Sequence, residues 1–134
     1  MHRAKILLLL TLTVCAAAFA HAAETNSLIW QADRDRVSAD IRDEALWPLL
    51  EDIAHQTGWH IFVEPKASHN ASVKFRDLPA GDALHKLLGN LNFAFVPQTN
   101  GPKELYVFTT TIHAATQRVA AAPVKAAPMR HVSN

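Results

Sequence analysis

Two stretches of the chain carry the same order of apolar and polar positions. In the first, Val37, Ala39 and Ile41 alternate with Ser38, Asp40 and Arg42, the period of a half-buried strand. Leu46, Leu49, Leu50, Ile53 and Ala54 follow at helical spacing and define one buried helix face. Gly58 stops the helix, and Trp59, Ile61 and Val63 alternate again up to Pro65, so the pattern predicts strand, helix, strand. The second stretch opens with Val73 and Phe75, continues through Pro79 at an early helix position, and places Ala80, Ala83, Leu84, Leu87, Leu88 and Leu91 on one face. Phe93 and Phe95 then reprise Trp59 and Ile61. A final strand over residues 104–111 is joined to them by the Thr99-Asn100-Gly101-Pro102 turn, in which Asn-Gly is a strong hairpin signal.

A slide of 34 positions superposes the two stretches without a gap. Ser38 falls on Ser72, Arg42 on Arg76, Asp43 on Asp77 and Leu50 on Leu84. Two copies are too few for a solenoid. The expected fold is therefore one α+β domain of order β-α-β-β-α-β-β, with two helices sandwiched between two small β-sheets and an internal pseudo-twofold βαβ repeat. If the copies pair symmetrically, the leading strands share one sheet and the trailing strands the other. Ile41, Leu50, Ile53, Ile61, Phe75, Leu84, Leu87 and Phe95 are the expected core. Trp47 falls at the border of the α-helical apolar face, as a cap on the core or an anchor for a partner. Phe62, out of phase with Ile61 and Val63, belongs on a sheet's outer face or under a flanking segment, and His60 should also point away from the core.

The flanks read differently. Residues 1–23 have the layout of a secretory signal peptide: basic Arg3 and Lys5, an apolar stretch over residues 6–14, then Ala18, Ala20, Ala22 and Ala23. Cleavage after Ala20, Ala22 or Ala23 fits equally, and Cys15 raises lipidation as the weaker alternative use of the segment. Cys15 is the only cysteine, so ordinary cleavage leaves no disulfide, thiol nucleophile or cysteine metal site. Residues 24–36 form a lead-in whose Leu28, Ile29 and Trp30 either add a strand or lie on the domain surface. Residues 112–134 are expected to be a flexible basic tail rich in Ala and Pro, dispensable for folding, with at most a helical turn over 117–122.

Residues 24–111 hold 12 acids against 8 bases, a net of −4, while residues 112–134 carry three bases and no acid. Nucleic-acid binding by the folded part is therefore not expected. His55 lies on a helix face with Glu51 and Asp52, but no second convergent His motif accompanies it, so a solvated polar face is expected and no metal or other cofactor. No Gly-x-Ser-x-Gly, phosphate loop or His-Glu-x-x-His is present, which argues against an enzyme.

The residues Ile41-Arg42-Asp43, Leu49-Leu50, Ile53-Ala54, Gln56-Thr57-Gly58, Ile61 to Pro65, Leu78-Pro79, Ala83-Leu84 and Leu87-Leu88 together resemble the secretin and TonB N-terminus short domain, the signalling domain. The resemblance covers residues 37–108 and implies two helices held between two small sheets. It also implies an exported, periplasmic docking or signalling module whose partner is an envelope protein: a secretin, a TonB-dependent receptor or an inner-membrane regulator. Trp47, Phe62 and His60 are the candidate partner-binding residues. A soluble periplasmic protein that binds a ligand or metal in the slot between helices and sheets is the alternative.

Overall fold

The structure, a computed structural model, describes residues 25–121. The candidate signal peptide, Cys15 and the chain beyond Ala121 lie outside the described residues. The fold is α+β: two helices and two sheets of three and four strands. Strands β1 (Ser27–Gln31), β2 (Arg36–Ala45) and β4 (Asn70–Pro79) form an antiparallel sheet in the order β1-β2-β4. Strands β3 (His60–Val63), β5 (Asn92–Val96), β6 (Glu104–Phe108) and β7 (Gln117–Val119) form the other, in the order β5-β6-β3-β7. Strand β3 is parallel to β6 and antiparallel to β7, and β5 and β6 pair as an antiparallel hairpin.

Helix α1 (Leu46–Thr57) packs on β1 and β2 on one side and on β3 and β7 on the other. Pro48 is tolerated because amides of the first turn have no intrahelical acceptor. Gly58 ends α1 at φ 73°, returning its N–H to the Ala54 carbonyl, the left-handed cap that glycine takes without strain. Helix α2 (Ala80–Leu88) lies on β2 and β4, and its His85 ring meets Phe93 of β5 at 4.8 Å. Leu49, Leu50, Ile53, Leu84, Leu87 and Leu88 are fully enclosed between the sheets, together with Ile41, Ile61, Leu105 and Val107.

The pairing of β2 with β4 is centred on Asp40 opposite Lys74, flanked by Ala39 opposite Phe75 and Ile41 opposite Val73. Each pair maps onto itself or the other under the 34-residue slide. Beyond this centre the register shifts on both sides. Asp43 and Asp77 sit at those shifts with φ of 49° and 54°, positive values that aspartate tolerates better than most residues. The Asp43 amide donates to the Ser72 hydroxyl at 2.9 Å, and the Asp77 amide to the Ser38 hydroxyl at 3.0 Å.

Of the two places open to the lead-in, the structure shows the added strand: β1 pairs with β2, Leu28 and Trp30 are buried, and Gln56 of α1 bonds the backbone of both. Two other expectations need correction. Residues 112–121 are not a free tail. A 3₁₀ turn at Ile112–Ala114 leads into β7, which forms a strand rather than a helical turn, and Ala115 and Val119 are buried. Gln117-Arg118-Val119 is too short to show an apolar period of its own, so its pairing depends on the edge that β3 offers. Finally, Phe95 is 36% exposed and Phe75 only half-buried, whereas Ile61 is fully enclosed. Ile61 lies on β3, flanked by β6 and β7, while β5 and β4 are edge strands covered from one side. Phe95 instead packs edge-on against Trp59 at 4.8 Å, and Trp59 against Trp30 at 5.1 Å.

Candidate functional site

The pleat of the four-stranded sheet sends Ile61, Val63, Leu105, Val107 and Val119 inward, where all are buried. Their alternates emerge on the outer face. Cross-strand register there sets Ala94, Tyr106, Phe62 and Arg118 in one row, with Ala94 opposite Tyr106, Tyr106 opposite Phe62 and Phe62 opposite Arg118. The next row is Val96, Glu104 and His60. Phe62 and Tyr106 stack at 5.2 Å with their planes 15° apart. Both are half-buried, as are Phe108, Val96 and His60, while Arg118 is exposed.

The polar groups at the margin are held in place. Tyr106 donates its hydroxyl to the Glu104 carboxylate, and this hydrogen bond, aided by burial and by the Glu104 charge, raises the phenol pKa above its ordinary value. The hydrogen bond to Glu104 orients the ring. At the far end of β3, Glu64 accepts from the Thr109 amide at 2.6 Å and hydroxyl at 2.6 Å, and from the Thr110 amide at 3.1 Å and hydroxyl at 2.6 Å. The two hydroxyls and the amides favour the ionised form and bring the Glu64 pKa down from 4.5 to about 2. This carboxylate clamps β3 to the end of β6.

The sign of the pH effect follows. A depressed folded-state pKa gives Glu64 a stabilising contribution that is whole above pH 4.5 and disappears as pH falls toward about 2. Glu64→Gln should thus melt below wild type at neutral pH, and the gap should close on acidification through that window. Thermal melts in a pH series measure it; a gap that stays constant removes the clamp's ionic character.

Of the residues singled out from sequence, the structure brings Phe62 and His60 onto this one outer face. Trp47, 37% exposed on the first turn of α1, belongs to the helix side of the sheet and does not join them. Sequence reasoning missed Tyr106 and Arg118. Tyr106 alternates with Leu105 and Val107, a readable signal, whereas Arg118 lies in the segment taken for a tail. His55 is exposed, and no group of three or more His, Cys, Asp or Glu among the described residues is placed to hold a metal ion. No helix among the described residues is long and apolar enough to cross a membrane. Comparison with protein-family models, curated proteins and solved structures found no match.

Proposed function

We propose that this chain is an exported, periplasmic protein–protein docking module of the secretin and TonB signalling-domain type, built by duplication of a strand–helix–strand unit. Two helices against two sheets support the family reading. The matched Asp43 and Asp77 bulges, each capped by the other copy's serine, support the duplication. The observation that carries the docking role is the stacked Phe62–Tyr106 pair on the outside of the four-stranded sheet. A sheet face that met only water would carry polar side chains. Here stacked aromatics lie beside Arg118 in one row and next to the row of His60, a composition in which Tyr and Arg are the residue types that dominate binding energy at protein interfaces. The partner is an envelope protein that covers this face with an apolar patch.

A photo-crosslinking residue in place of His60, in the exported protein, tests this reading. A discrete adduct with one envelope protein is expected. The double change Phe62→Ser and Tyr106→Ser should abolish the adduct while circular dichroism shows a folded domain. Trp47→Ala, on the helix side, should leave it intact. An adduct that survives loss of both aromatics moves docking away from this face.

A further inference from the structure

The four-stranded sheet is not the only surface fitted to a partner. Strand β4 is ten residues long and lies at the end of the order β1-β2-β4, so among the described residues it is hydrogen-bonded to β2 along one side only. Between its start and the bulge at Asp77, the backbone from Ala71 to Arg76 offers a regular open edge. An unpaired edge of this length is a template for a further strand. Its side chains state what kind. Val73 and Phe75 are packed on the core yet only half-buried, since no strand among the described residues flanks them on the open side. Lys74 and Arg76 emerge on the outer face and are exposed, the Lys74 side chain to 80%. Asp40 stands 3.8 Å from the Lys74 ammonium, and the neighbouring Arg36 is turned to the Asp77 carbonyl at 3.3 Å. A shallow concavity of about 480 Å³ reaches from this edge across the sheet to Ile29, with Phe75 and Arg76 in its wall.

We infer that the β4 edge accepts an extended segment of another protein in which apolar and acidic residues alternate, added to the sheet as a fourth strand. Its apolar side chains complete the cover over Val73 and Phe75. Its acidic side chains, one face away, lie against Lys74 and Arg76. The same two bases disfavour a second copy of this chain, since antiparallel pairing of two β4 edges sets lysine and arginine against lysine and arginine. Charge thus selects a foreign acidic strand over self-association. This surface is separate from the Phe62–Tyr106 face, which belongs to the other sheet, and either can fail without the other.

The test uses the mature protein and three blocked synthetic hexapeptides: one alternating Val and Glu, one alternating Val and Lys, and the Val-Glu peptide with alternate backbone nitrogens methylated. Amide-exchange protection and NMR shifts locate binding, and titration gives affinity. The Val-Glu peptide should protect amides of residues 71–76, and the other two peptides should not. Lys74→Glu with Arg76→Glu should weaken the Val-Glu peptide by about tenfold, two exposed ion pairs' worth, and turn the preference toward the Val-Lys peptide. Melting of that variant checks that the fold is kept, and Lys86→Glu on α2 serves as a charge control that leaves affinity unchanged. Equal binding of the methylated peptide would show surface adsorption rather than strand addition and overturn the inference. So would protection confined to β5 or β7, an absence of binding, or a dimer of the free protein joined through β4.

Discussion

Leu84→Ala and Leu50→Ala each lower the unfolding free energy by about 2–5 kcal/mol, the range for a leucine removed from a packed core. Both side chains have no exposed surface, and both sit mid-helix in the one buried cluster that also holds Ile41, Ile61 and Leu105. Backbone elements on every side leave little room for collapse into the vacated space. Stability in a domain of this size is typically ~5–15 kcal/mol in total, so either change takes a large share. Urea unfolding at constant pH measures it, with exposed Lys86→Ala as a control expected to move by no more than about 0.5 kcal/mol. A leucine variant that unfolds like the control would remove the two helices from the centre of the domain.

Ending the chain after Thr111 should be comparably harmful. The cut removes β7 and with it the buried Ala115 and Val119. It leaves Ile61 and Val63, now enclosed, along an open edge of β3. Re-exposing one valine costs ~1.5–3 kcal/mol and each lost hydrogen bond roughly 1 kcal/mol, so the truncated chain should lose about 3 kcal/mol or more. Val119→Asp, which keeps the chain length, should reproduce most of the loss. Thermal melts of both variants decide the matter. A truncated protein with an unchanged transition would return the segment to the role of a tail.

The parts of this architecture that sequence made legible are those with a strong apolar period. Helix α1 begins at Leu46 and is ended by Gly58, as the spacing and the glycine require. The β5–β6 hairpin closes over Asn100-Gly101. What periodicity could not convey is which edge each strand meets. Trp59-His60-Ile61 and Phe93-Ala94-Phe95 have equivalent patterns, yet β3 became central and β5 peripheral, so Ile61 is enclosed and Phe95 is not. β7 was illegible for a related reason. Its three residues carry one large apolar side chain, and their place is fixed by β3 rather than by their own propensity. The candidate site was half visible: Phe62 and His60 follow from alternation on one strand, but the row they share with Tyr106 and Arg118 exists only through register between strands distant in sequence.

The position of β3 also governs the order in which this protein can fold. Its neighbours are contributed late: His60 lies opposite Glu104, and Ile61 opposite Val119. Contacts this distant along the chain are slow to close, because the loop entropy is lost before pairing compensates it. A chain that emerges N-terminus first can assemble β1, β2, β4 and both helices early, but β3 waits with both edges bare for β6 and, last, for β7. Nascent or prematurely terminated chains therefore pass through a half-built state that presents Ile61 and Val63 on an unpaired strand, an aggregation-prone species whose lifetime is set by how fast the final residues are delivered.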